Sequence, residues 1–157
     1  DHGSFAANHP GKKTGELIEL AGLKQILWPV HCVQGSKGAE FHPDLKKDKW
    51  KAIFKKGTHP KVDSYSGFFD NNKQGDTGLS AYLKENDIDE VFVCGLATDY
   101  CVKFTVLDAI SEGFKTTLIA DATRAVNINE NDYIHAIEEM AQGGAKVVLA
   151  EEILYFS

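Results

Sequence analysis

Three loops of this 157-residue sequence hold side chains able to do chemistry. In GLATDYC, residues 95–101, Cys101 sits a few positions into what reads as the start of a helix. There the unpaired backbone N–H groups and the positive end of the helix dipole favour a thiolate. The same N–H groups suit the oxyanion formed when a thiolate attacks an amide carbonyl. Position alone also fits a small core cysteine, because free cysteine packs as a hydrophobe. In FKKGTHPKVDSYSGFFD, residues 54–70, Lys56 follows a strand-like run and precedes a glycine. An ammonium there can hold an anion or stabilise developing negative charge. Spacing by itself favours the plainer reading, a solvated lysine beside Lys51, Lys55 and Lys61. Tyr65, Phe68 and Phe69 can line an apolar pocket, although core packing is the preferred reading of their pattern. In WPVHCVQG, residues 28–35, the imidazole of His31 can ligate a metal at a strand end, with Trp28 offering a stacking face. A metal site needs three or four ligands, and the other candidates in suitable loops are His2, His9, His42 and His59. A lone histidine is more simply a hydrogen-bonded structural one.

These loops need elements to position them, and from residue 76 onward the pattern alternates between helix and strand. A helix opens near Asp76 or Thr77, carries Leu79, Tyr82 and Leu83 at i, i+3, i+4 spacing, and ends within residues 84–87. The run EVFVCG, residues 90–95, reads as a strand covered on both faces. A second helix starts at Thr98 or Asp99, either of which can cap it, and places Val102, Val106, Ala109 and Ile110 on one stripe before Gly113. Residues 116–120 form its partner strand. A third helix begins around Asn129, whose spacing to Asp132 approaches a capping box, and buries Ile134, Ile137 and Met140 before Gly143. Residues 146–150 close the series as a strand. The first half is less regular, with short strands expected at 25–28 and 52–55. This succession predicts an α/β fold in three layers, a mostly parallel sheet with helices on both faces, whose reactive loops follow the strands.

Composition narrows the class. The length and 43% hydrophobic content suit one domain over residues 1–157. Net charge is −6 with the lysines and arginines scattered among acids, which excludes a basic stripe for nucleic acid or an anionic membrane. No apolar run approaches the ~20 residues of a membrane span, and the first residues have no signal-peptide pattern, so a cytoplasmic protein is expected. The odd set Cys32, Cys94 and Cys101 suits free thiols in a reducing compartment.

Taken together, HGSFAANH, WPVHCVQGSKGAEFHP, FKKG with VDSYSGFFDN, and GLATDYCVKFTVLDA resemble the nicotinamidases of the isochorismatase-like cysteine hydrolase superfamily. The resemblance spans the chain, and GLATDYCVKFT is its most specific part. It implies an isochorismatase-like, Rossmann-like fold and an amidohydrolase converting nicotinamide to nicotinate and ammonia through a cysteine thioester, in NAD salvage. Cys101 would attack, the N–H groups of Ala97 and Cys101 would form the oxyanion hole after a cis Leu96–Ala97 bond, and Lys56 would be the catalytic lysine. His31 would bind a divalent metal, zinc first and iron or manganese as alternatives, while Trp28, Tyr65, Leu96 and Tyr100 would line the ring pocket. Nicotinamide and pyrazinamide are the implied small-molecule partners, no nucleic acid or membrane is expected, and a homo-oligomer is left open. The family's catalytic aspartate, Asp-x-His metal ligands and first strand precede the segment matching His2. They are absent from this sequence, so it reads as N-terminally incomplete and, taken alone, is expected to lack the general base. A cysteine amidase for a ureido, carbamoyl or other aromatic amide, or a non-catalytic relative, are the alternatives.

Overall fold

The computed structural model describes residues 2–154, which fall into two compact units dividing between Asp63 and Ser64.

In the first unit, β1 (Leu17–Leu20) and β2 (Leu23–Ile26) pair as an antiparallel hairpin. Its two-residue turn is Ala21-Gly22, with both residues at positive φ, the backbone such tight hairpins require. The fully buried Gln25 organises this unit. Its Nε2 donates to the carbonyls of Leu20 and Lys61, and its Oε1 accepts the Asp63 N–H. A buried amide is tolerated when its donors and acceptor are satisfied in this way. The hairpin corrects the sequence reading in two places. Its first strand was not expected, because the residues Leu-Ile-Glu-Leu do not alternate apolar with polar. The run at 52–55 is not a strand, since among the described residues of this unit the ladder is β1–β2 and nothing lines up beside 52–55.

The second unit is α/β. Strands β3 (Glu90–Leu96), β4 (Lys115–Arg124) and β5 (Lys146–Val148) form a parallel sheet in sequence order. The elements packed around it are α1 (Leu79–Glu85), α2 (Lys103–Ser111), α3 (Asp132–Gln142) and α4 (Ala150–Leu154). A short π-helical segment, Thr98–Val102, leads into α2. The expected stripe on α2 is present. Val102 and Val106 pack with Leu118, Ala136 and Met140 in one apolar cluster, and Ala109 packs with Phe68 and Phe114 in another.

The structure differs from the sequence reading at β3 and α3. On β3, Val91 and Val93 face these clusters, while Phe92, Cys94 and Leu96 lie exposed on the opposite pleat, so this strand is not covered on both faces among the described residues. On α3 the phase is set by Ala136 and Met140, which are buried, whereas Ile134 is 52% exposed. The helix opens at Asp132, and the Asp132 carboxylate accepts the Asn129 N–H at 2.8 Å. Ala136 and Met140 lie one turn apart and share the inward face, while Ile134, two residues before Ala136, falls on the other side.

This phase yields a prediction. Met140→Ala should lower unfolding free energy by about 2–5 kcal/mol, the range for a buried truncation that leaves a cavity. Ile134→Ala should change it by about 0.5 kcal/mol or less. Urea unfolding of both variants checks this, and equal losses would show that the Ile134 face is the packed one.

Candidate active site

The turn that carries Cys101 is built where β3 ends. The β3–β4 register shifts between Val93 and Gly95, and Gly95 takes φ +115°, a conformation that side-chain-bearing residues avoid. The chain then passes through a cis Leu96–Ala97 bond, as the resemblance implied, and an extended Ala97 before winding into the π-helical segment. The Ala97 carbonyl accepts the N–H groups of Tyr100 at 3.1 Å and Val102 at 2.9 Å. Single π turns of this kind concentrate at functional sites because they re-aim side chains. Cys101 is half-buried in this first helical segment, at the C-terminal end of a parallel strand.

Neither Thr98 nor Asp99 caps the helix it opens, which corrects the sequence reading. Both side chains are buried and bond elsewhere in the chain. The Thr98 hydroxyl donates to Thr123 Oγ1 at 2.9 Å, and Thr123 donates in turn to the Ala120 carbonyl. The Asp99 carboxylate accepts the N–H groups of Val126 and Asn127 at 2.9 and 2.8 Å. The Cys101 turn is thereby tied to the end of β4 and the loop beyond it. Lone threonines and aspartates carry no sequence signal for such distant partners.

An aromatic group stands beside the turn. The Tyr65 ring meets Tyr100 edge-on and Phe104 at a tilt, both with centroids 5.4 Å apart. Such contacts add about 0.5–1.5 kcal/mol beyond area burial. Phe104 was not assigned a role from sequence, although its i+4 spacing from Tyr100 places both on one helix face. Leu96, the last residue of β3, is 73% exposed. Phe68 is core, as its pattern suggested, and Phe69 packs half-buried beside it. A polar cleft lined by Asp99, Tyr100, Lys103, Asp132 and His135 opens toward α3, and Cys101 does not line it.

The remaining site candidates belong to residues 2–63. Trp28 is 9% exposed and exchanges backbone hydrogen bonds with Ser4 and Ala6. Lys56 is exposed, just ahead of Gly57 at φ +65°. The His31 Nδ1–H donates to the Pro29 carbonyl at 2.7 Å, which leaves the lone pair on Nε2. Metal-binding histidines commonly carry this backbone bond. His2 differs, since its Nδ1 accepts the Ser4 N–H and its Nε2–H donates to the Val62 carbonyl. Among the described residues no three His, Cys, Asp or Glu side chains converge into a metal site, so His31 stands as a single donor. None of the three cysteines is in a disulfide, and no helix among the described residues is long and apolar enough to cross a membrane.

The isochorismatase domain family matches residues 20–152. A nicotinamidase of Escherichia coli is 51% identical over 145 residues, covering 92% of this chain and 68% of the relative. A solved nicotinamidase/pyrazinamidase of Acinetobacter baumannii superposes with a TM-score of 0.92 at 47% identity, covering 97% of this chain and 73% of that one. A pyrazinamidase of Pyrococcus horikoshii, solved in complex with zinc, gives a TM-score of 0.67 at 43% identity over 78% of this chain and 63% of its own.

The electrostatics of the turn can be tested on Tyr100. Burial first, then the negative charges of Asp99 and Asp132, hold its phenol above the ordinary value of 10.0. A phenol pKa raised on folding contributes stability that is full below pH 10.0 and lost as pH rises through the folded value. In an ultraviolet titration, the component missing from Tyr100→Phe should be one that ionises above pH 10.0. A missing component at or below that pH would contradict this environment.

Proposed function

The chain belongs to the isochorismatase family, and from that membership and the turn around Cys101 we infer that it hydrolyses the carboxamide of nicotinamide to nicotinate and ammonia. The fixed turn at the end of β3, residues 95–102, carries the reading. It offers a half-buried thiol at a helix start, in a chain 51% identical to a nicotinamidase.

In the proposed reaction the Cys101 sulfur attacks the carboxamide carbon, and the carbonyl π-electrons move onto oxygen. The N–H groups of Ala97 and Cys101 receive that oxyanion, stabilising charge that exists only after attack. Collapse breaks the C–N bond. The amine takes a proton and leaves as ammonia, so the acyl group remains on sulfur as a thioester. Water then adds to the thioester carbonyl, the C–S bond breaks, and nicotinate departs as the thiol is restored. Tyr65, Tyr100 and Leu96 are the proposed walls for the pyridine ring. For Trp28 and Lys56, the family resemblance proposes a ring-lining role and a cation for developing negative charge. The proton given up by the thiol is the one that the departing amine takes.

His31 is proposed as one ligand of a divalent metal that would hold the ring nitrogen, with zinc favoured because the Pyrococcus horikoshii pyrazinamidase was solved with it. Among the described residues no set of three such ligands converges, and His31 is the one proposed here. Pyrazinamide is the second substrate in this reading. We read residues 1–157 as one hydrolase domain in the cytoplasm, serving NAD salvage.

In the complete protein, Cys101→Ala should abolish ammonia release from nicotinamide, while Cys94→Ala should keep it. Cys32 and Cys94 are more exposed than Cys101, so raw labelling rates do not distinguish the thiols. Protection does: nicotinamide should slow iodoacetamide labelling of Cys101 and leave the other two unchanged. Absence of protection at Cys101, or equal protection of all three thiols, would overturn the nucleophile assignment. His31→Ala should raise the KM for nicotinamide by about tenfold or more, the loss of one ligand-positioning contact. If benzamide, which lacks the ring nitrogen, is turned over as well as nicotinamide, the ring is not held through that nitrogen.

A further inference from the structure

Thr105 lies one helical turn beyond Cys101, in α2, and its hydroxyl makes two bonds of opposite sense. It donates to the Cys101 carbonyl at 2.6 Å and accepts the Gly67 N–H at 2.8 Å. One O–H and two lone pairs allow both at once. The first bond is the backward i−4 contact that threonine can make in helices, placed here at the junction between the π-helical segment and α2. The second reaches the loop that carries Tyr65.

That loop is otherwise fastened to itself. Ser64 Oγ donates to the Phe69 carbonyl, Phe68 N donates to Ser66 Oγ, and Tyr65 N donates to Asn71 Oδ1. Its Gly67 peptide is gripped from both sides, with the N–H on Thr105 and the carbonyl accepting Thr77 Oγ1 at 2.7 Å. Gly67 also sits close against Thr105, since a Cβ built there would meet Thr105 Cγ2 at 3.5 Å. Two residues upstream, Tyr65 meets Tyr100 and Phe104, the residues that precede Cys101 and Thr105.

We propose that Thr105 is a positioning residue for the hydrolysis inferred above: its hydroxyl sets the register between the Tyr65 wall and the Cys101 turn, so that ring pocket and nucleophile move as one body. It touches neither the substrate nor the sulfur in this account. Removing the hydroxyl leaves the thiol at its helix start and lets the aromatic wall drift, so the cost falls on substrate placement. The proposal rests on the nicotinamide reading, and wild-type activity separates the two.

The test compares wild type, Thr105→Val, Thr105→Ala and Thr105→Ser in the complete protein. Steady-state kinetics on nicotinamide are measured together with the pH dependence of Cys101 alkylation. Thr105→Val should raise KM by about tenfold, the worth of one hydrogen bond, with a smaller fall in kcat and an unchanged alkylation midpoint. Thr105→Ala adds no bulk and should reproduce this if the valine variant does not fold. Thr105→Ser keeps the hydroxyl and should return KM to within about threefold of wild type, less than that one bond is worth. A hydroxyl-less variant with wild-type KM overturns the proposal, even if it melts earlier. So does a serine variant as impaired as valine, which would assign the effect to the γ-methyl. If wild type releases no ammonia from nicotinamide, the substrate reading itself falls and takes this inference with it.

Discussion

A hydroxyl or carboxylate taken out of water costs free energy unless it is hydrogen-bonded, and the turn before α2 buries one of each, on Thr98 and Asp99. Their partners decide where the turn can sit. Thr98 must reach Thr123, which stands opposite Gly95 in the β3–β4 register, and Asp99 must reach the N–H groups of Val126 and Asn127. These bonds allow one placement of residues 95–102 against β4. The β3 bulge, the left-handed Gly95 and the π-helical winding are the backbone that meets those demands. Cys101 inherits its position from bonds in which its own side chain takes no part.

The same logic connects the turn to its aromatic neighbour. Thr105 and Ala109, one turn apart along α2, face the loop of residues 64–69, through a hydrogen bond at Thr105 and apolar contact between Ala109 and Phe68. Tyr65 therefore stands beside Tyr100 and Phe104 on a loop held by bonds of its own, by Thr105 of α2 and by Thr77. A flat amide substrate needs such a wall to keep its carbonyl in line with an attacking thiol, because small errors of approach angle and distance cost rate steeply.

Much of this was legible in the sequence. The helix and strand alternation after residue 76 follows from apolar spacing, and the stripe on α2 emerged with the expected residues facing inward. Cys101 and Tyr65 were legible as residue types in suitable loops, and resemblance turned those types into roles. Three features were hidden for physical reasons. The inward face of α3 carries Ala136 and not Ile134, and a small alanine is too weak an apolar signal to mark that face in the sequence. The caps expected of Thr98 and Asp99 were lost to partners about 25 residues away, which local propensity does not register. Thr105 carried no role in the sequence reading, because a hydroxyl linking a helix to a distant loop leaves no periodic trace.

The central claim is that the acyl group passes through the Cys101 sulfur. The direct test is rapid acid quench of the complete protein during turnover of nicotinamide, followed by peptide mass spectrometry. The account predicts a nicotinoyl thioester on the peptide bearing Cys101, lost on treatment with hydroxylamine and absent from the peptides bearing Cys32 and Cys94. Steady ammonia release with no acyl adduct at Cys101, or an adduct on another residue, would contradict it.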